Sequence, residues 1–441
     1  MRAIYKRFLT IFLFLILLFN GFANQAQDTY LKILNDDSSP DKTLKMEDWV
    51  YLPRIRTVQI YAYSSFSNGI DKSNPPIIRL SSQRTQPLIL EFDILGDDSD
   101  YYEAKIIHCN ADWTVSNEVA INYLEEYNEF NLAEYEMASN TRVNYTHYKF
   151  QLPRVKFSGN YLLKIYIEGE EEDLVITRRF VVYEQKTLVG IRQNTVLGTS
   201  DYLRKQQADF TVNYSALQPL DPNNDFKVVV RQNYRWDNAI TDLKPRFANL
   251  AKKTLDYNQN DLSNTFWGGN EFRHFDFGTF QRVGYNISTV IKTDTITQVV
   301  PYKDKPRNEL AYNSQAIDLN GRFVIANRDF LPETQADYSE VLLELETGNP
   351  LTQEIYAVGS FSDWQIRPEN KMIYQPKKGA YYNTLLLKQG AYDYIYVEKG
   401  ATQNSLEGNY NRTRNIYDVI VYFRPFGARG DRAVGYGAIG E

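Results

Sequence analysis

His108 and Cys109 are the side chains whose types most directly suggest chemistry, since an imidazole beside a thiol serves both metal sites and thiol nucleophiles. The sequence holds three histidines and one cysteine, and neither His147 nor His274 has ligand spacing around it. The pair ends the apolar run Tyr102–Cys109, which reads as a strand, and neighbouring side chains on a strand point to opposite faces. Alternation therefore separates the two groups and predicts a core thiol and a hydrogen-bonded histidine, with no metal and no catalytic pair. Asp93, Asp97, Asp98 and Asp100 lack the glycine and the distal glutamate of a calcium loop, so a solvated acidic turn is expected. Gly435, Gly437 and Gly440 match a phosphate-loop spacing without a helix to follow. Arg429-Gly430-Asp431 reads as part of a flexible tail. No catalytic residue and no cofactor is expected.

A second group of residues suits recognition. Trp236, Trp267, Phe272 and Arg273 lie in or near Asn- and Gly-rich connections, and Arg424 and Arg429 lie near the C-terminal end. Tryptophan, tyrosine and arginine tend to anchor protein interfaces, so these six are the expected partner contacts. Trp364, in the loop Gly359-Ser360-Phe361-Ser362-Asp363-Trp364, is the expected contact of a rival, glycan-stacking reading.

These residues hang on strands. The sequence has 34 tyrosines and 24 phenylalanines among 441 residues, a usage that favours strands over helices. Short alternating runs separated by turn clusters predict an all-β chain of three consecutive β-sandwiches of Ig-like or E-set-like type. The expected division is a signal peptide at 1–26, a first sandwich at 27–185, a second at 186–320, a third at 321–426 and a flexible Gly/Arg tail at 427–441. Ile416–Phe423 is expected to close the third sandwich. About 30 residues separate the run Tyr102–Cys109 from Tyr145–Leu152, and they are acidic and rich in tyrosine. A connection of that length and aromatic content should pack on its own sandwich or on a partner.

Arg2, Lys6 and Arg7 precede an apolar stretch from Phe8 to Phe19, followed by small residues. That is the pattern of a cleaved secretion signal, and the stretch is shorter than the ~20 residues of a membrane-spanning helix. Removing it takes three positive charges and no negative ones, so the formal charge of −6 becomes −9. Nucleic acid and anionic membrane surfaces are therefore poor partners. A lone cysteine leaves no internal disulfide, so core burial must hold an exported chain together.

Longer strings carry a family likeness. Ile106-Ile107-His108-Cys109-Asn110-Ala111-Asp112-Trp113, the later Asn144–Pro153 and the stretch from Gly159 to Val182 resemble the first domain of the type IX secretion system plug proteins. Arg235–Ile240, Phe266–Arg273 and Tyr422–Pro425 continue the resemblance. It implies a non-enzymatic protein of the periplasm, at the inner face of the outer membrane. Its expected partner is the large β-barrel translocon, whose periplasmic opening it would close between transport events, with periplasmic accessory subunits as further partners. The third sandwich also resembles glycogen-binding modules, in which Trp364 takes a sugar-stacking position while Ile395 stands where those modules carry lysine.

Overall fold

The strand Gly159–Ile167 is buried along almost its whole length, and its sequence, GNYLLKIYI, is apolar on both faces. A strand reads that way when its sheet is covered on both sides. In the computed structural model, which describes residues 33–34 and 41–440 apart from 67–68, 98–99, 197–199, 309–311, 313, 315–316, 330–331 and 402–404, this is what surrounds it. The expected signal peptide lies outside the described residues.

Gly159–Ile167 pairs with Tyr102–Cys109 and Glu170–Tyr183 in a six-stranded sheet. Tyr161, Leu163 and Ile165 meet Leu90, Phe92 and Ile94 of the opposing four-stranded sheet, which runs Ile55–Ala62, Leu88–Leu95, Tyr145–Gln151 and Glu134–Met137. The other face presents Leu162, Cys109 and Val181 to Val229, Ile420 and Tyr422 of a second sandwich. The long connection after Cys109 crosses between the two sheets of its own sandwich. Phe130–Asn131 adds to the edge of one and Glu134–Met137 to the edge of the other. Its helix is a single turn, Ala120–Tyr123.

The second sandwich packs a five-stranded sheet built on Lys205–Asn213 against a three-stranded one. The latter corrects two expectations. Tyr417–Phe423 pairs with Phe226–Gln232 and so belongs to the second sandwich instead of closing the third. The expected flexible tail is the strand Arg432–Ile439, paired along Tyr417–Phe423. Its glycines concealed this. Gly435 and Gly437 lie so close to Thr187 and Val189 that a Cβ would come within 1.9 and 3.0 Å of those side chains, so they mark close sheet packing, not looseness.

The third body is a nine-stranded sheet folded over its own core, with Tyr338–Glu346, Ala380–Lys388 and Gly390–Glu398 as its long strands. Ile287–Lys292 and Thr297–Pro301, expected in the second sandwich, join it through the parallel pairing of Thr297–Pro301 with Tyr338–Glu346. Arg273–Asp276 also enters it, against Gly390–Glu398. The all-β reading holds. The boundaries drawn from sequence do not follow the pairing, because the chain leaves the second sandwich near Arg273 and returns to it at Tyr417.

Candidate functional site

His108 and Cys109 do part to opposite faces. The His108 ring lies 5.0 Å from Tyr161 and 5.9 Å from Tyr123 inside the first sandwich, while Cys109 packs with Leu162 and Ile420 on the outer face. His108 Nδ1 is 2.7 Å from Ser116 Oγ. Burial, together with Arg432, pushes its pKa down to about 4, and burial pushes the Cys109 thiol up to about 12. Both groups are therefore uncharged at neutral pH. Among the described residues no group of three or more His, Cys, Asp and Glu side chains is placed to hold a metal ion.

The six expected interface residues separate into an internal set and an external one. Trp236 lies between the first and second sandwiches. Its ring meets Trp113 edge-on at 4.9 Å, and the guanidinium groups of Arg231 and Arg179 stand 4.3 and 5.2 Å from its centre. Arg231 in turn is paired with fully buried Asp418. Trp267 is half-buried, with Lys205 Nζ 4.5 Å from its ring. Phe272 is 7% exposed and packs on Trp364. Arg273 is 6% exposed; it donates to both oxygens of Glu407 at 2.9 and 3.1 Å, to Asp304 at 2.6 Å and to the Lys305 carbonyl at 2.7 Å. Phe272 and Arg273 are thus internal, which corrects their assignment to an outer surface. An Arg in an Asn/Gly-rich stretch does suggest recognition, but here it recognises acids of its own chain at Asp304 and Glu407.

Trp364 is corrected in the same way. The Arg235 guanidinium stands 3.8 Å from its ring centre, where a sugar would stack. Gly321 lies against the outer end of the indole, where a Cβ would fall 2.4 Å from Cη2. Gly321 has φ +78°, a conformation that glycine adopts without strain. The partly buried tryptophan thus packs in a seam between bodies, against Arg235, Phe272 and Gly321.

Arg424 and Arg429 remain outside. They flank the turn between Tyr417–Phe423 and Arg432–Ile439, with fully exposed Phe426 at its tip. The turn is braced from beneath. Asp431, 2% exposed, accepts from Arg424 Nε at 2.8 Å, Lys227 Nζ at 3.0 Å and the Ala111 amide at 3.1 Å. Burial would raise that carboxyl, but hydrogen bonds from the Ala111 amide, Arg424 and Lys227, with the Lys227 charge, outweigh it and keep it below its usual range. Arg432 donates to Glu118 at 2.8 Å, and the Asn117 amide donates to the Arg429 carbonyl at 3.2 Å. Those partners sit in the long connection of the first sandwich, where Val115, Val119 and Ile121 are 54, 49 and 78% exposed. A braced, partly apolar rim carrying exposed Arg424 and Arg429 therefore spans two sandwiches. Sequence reasoning missed Phe426, since one phenylalanine after a proline carries no signal until the turn is known.

The three bodies are tied to one another by buried polar contacts. Asp93 of the first, 0% exposed, accepts from Lys388 Nζ and Tyr338 OH of the third, each at 2.7 Å, and meets His147 Nδ1 at 2.7 Å. Burial would raise this carboxyl, but Lys388 and His147 outweigh it and hold the pKa at about 2. Arg178 reaches Asp363 at 3.2 Å, and Arg367 lies 4.4 Å from the Trp49 ring centre. The Arg235 guanidinium, just beyond the strand Phe226–Gln232 of the second sandwich, stands 3.8 Å from the Trp364 ring centre of the third body. No described helix is long and apolar enough to cross a membrane.

Comparison with known proteins agrees with this architecture. The crystal structure of a hypothetical protein from Parabacteroides merdae is 30% identical, with a TM-score of 0.82, over 90% of this chain and 100% of that one. No curated protein matches. The sequence model described as "Type 9 secretion system plug protein 1st domain" matches residues 55–184, the span of the first sandwich from its first long strand to Tyr183. Through this first domain the chain belongs to the type IX secretion system plug family.

Proposed function

We propose that the protein docks on the periplasmic opening of the outer-membrane type IX translocon and closes it between transport events, without making or breaking a bond. The observation that carries this reading beyond family membership is the mutual locking of three sandwiches through buried ion pairs and hydrogen bonds. A stopper has to resist deformation, and buried networks of this kind fix one arrangement of bodies because any other leaves charges unpaired. A sandwich of ~130 residues has a radius of gyration of ~14 Å, on the scale of a hole that passes folded cargo. The rim at Phe426, Arg424 and Arg429 supplies the docking contact. It is rigid, exposed and mixed apolar and cationic, which suits an interface that must also release.

The test is recovery of a tagged chain from the native outer membrane. A β-barrel protein much larger than the plug should come with it, and should be lost when Phe426→Asp and Arg429→Glu are combined in a chain that stays folded. Recovery of the tagged wild type alone would refute the reading.

A further inference from the structure

A cleft of about 1030 Å³ opens between the first sandwich and the third body. Its walls are unusual for a strand protein. Consecutive residues line it, from Tyr382 to Leu387 on one side and from Ile55 to Val58 on the other. Successive side chains on a strand point to opposite faces, so a cavity touched by every residue of a strand runs along that strand's edge.

Among the described residues both edges lack a neighbouring strand where they face the cleft. Ile55–Ala62 is the outermost strand of its sheet. Ala380–Lys388 pairs with Lys371–Gln375 only as far as Tyr382, leaving the next residues without a strand on that side. Unpaired strand edges are templates for another strand.

The charge is equally specific. The lining carries five cationic and three acidic side chains, in a protein whose net charge is negative. Four of the cations have partners in the chain: Lys45 with Asp41, Arg178 with Asp363, Arg367 with Gln365, and Lys371 with Glu354. Arg56 is the exception: among the described residues its Nε is buried without a hydrogen-bond partner, and Glu369 of the same lining acts on it only through space. Its register partner across the sheet is Asp93, but Asp93 is already engaged by Lys388, Tyr338 and His147. A bulge between Arg56 and Gln59 interrupts the strand just beyond, a feature that commonly re-aims side chains.

We propose that this cleft binds an extended peptide bearing a carboxylate, laid along the open strand edges with the carboxylate paired to Arg56. Main-chain hydrogen bonds to an open edge give such complexes affinity, and a bidentate Arg–carboxylate pair gives register. The unpaired stretch Thr384–Leu387 accommodates about four residues at roughly 3.3 Å each. The site lies apart from the Phe426 rim, so the proposal stands or falls independently of docking on the translocon.

The probe is a fluorescent peptide of alternating valine and threonine with a free C-terminal carboxylate, titrated against the full chain by anisotropy. Three comparisons should each weaken binding at least tenfold: the same peptide as a C-terminal amide, the same peptide with N-methylated backbone, and the Arg56→Gln protein. The first two use the unaltered protein, so they decide the matter even if the variant fails to fold. Leu385→Trp, which fills the cleft, should also abolish binding. Equal binding of acid and amide, or no binding at all, overturns the proposal. So does Arg56-dependent binding of dodecanoate without peptide binding, which would make the site one for a lipid acid. Binding that emerges only when residues 27–40 are deleted would make the occupant the chain's own leader, and the proposal of an external partner would fail.

Discussion

Lys388 Nζ lies 2.7 Å from Asp93 Oδ2 across the seam between two bodies, with the side chains 2% and 1% exposed. Lys388→Met leaves Asp93 with an incompletely neutralised buried charge, which typically costs ~3–5 kcal/mol. The expected outcome is a lowered thermal midpoint, with less loss in the Asp93→Asn/Lys388→Met double variant than the sum of the two single ones. Additive losses would show that the pair is not coupled.

The same carboxyl sets a limit at acid pH. Its pKa is about 2 in the fold against an ordinary value of 3.8, so the unfolded chain takes up the proton first as pH falls. Its contribution is complete above the unfolded value and is lost as pH drops through 3.8 toward 2. Denaturant titrations from pH 5 to pH 2 should show this loss in the wild type and a smaller one in Asp93→Asn.

Glu340 works in the opposite direction. It is 1% exposed, one carboxyl oxygen has no partner, and burial pushes its pKa up to about 7. Here the folded chain holds the proton more tightly. Stability is therefore greatest below the ordinary glutamate range and declines as pH rises from about 4.5 to 7. Glu340→Gln removes the penalty, so the variant should be more stable than wild type at pH 8 by roughly 1–3 kcal/mol and indistinguishable from it near pH 4. Equal stability at both pH values would contradict the assignment.

Arg273 and Trp364 predict stability effects where an interface or a sugar site would predict binding effects. Arg273→Met strands Glu407 between fewer cations and should destabilise by ~3–5 kcal/mol. Trp364→Ala removes a ring packed on Phe272 and under Arg235, at a cost of ~3–5 kcal/mol. Both are read by denaturant unfolding. Retention of a soluble glucan by the wild type, lost in Trp364→Ala at unchanged stability, would restore the glycan reading.

What the sequence disclosed follows from the range of the forces involved. Strands such as Tyr102–Cys109, Tyr338–Glu346 and Gly159–Ile167 announce themselves by local apolar pattern, and the opposite orientation of His108 and Cys109 follows from period two alone. The return of Tyr417–Phe423 to Phe226–Gln232 does not, because a pairing across nearly 200 residues leaves no local trace. Glycine composition made the last strand look loose, when small residues were needed where it crosses Thr187 and Val189. Arg273 and Phe272 have the chemistry of interface anchors, and only burial reveals that the interface they serve is internal. Phe426 is the converse, an ordinary residue made conspicuous by the turn that exposes it.

Docking at the rim predicts a separable variant. Phe426→Asp with Arg429→Glu alters two exposed side chains and should shift unfolding stability by no more than ~0.5 kcal/mol. Its association with the translocon should fall at least tenfold. A variant that binds as the wild type does would move the docking surface elsewhere on the molecule.

The most direct test is the ionic conductance of the purified type IX translocon in a planar bilayer, recorded while the wild-type chain is added to the periplasmic side. The account predicts that open-pore current falls toward baseline with saturable dependence on concentration, and that the Phe426→Asp/Arg429→Glu chain leaves it open. Unchanged current in the presence of demonstrably bound wild-type protein would contradict it.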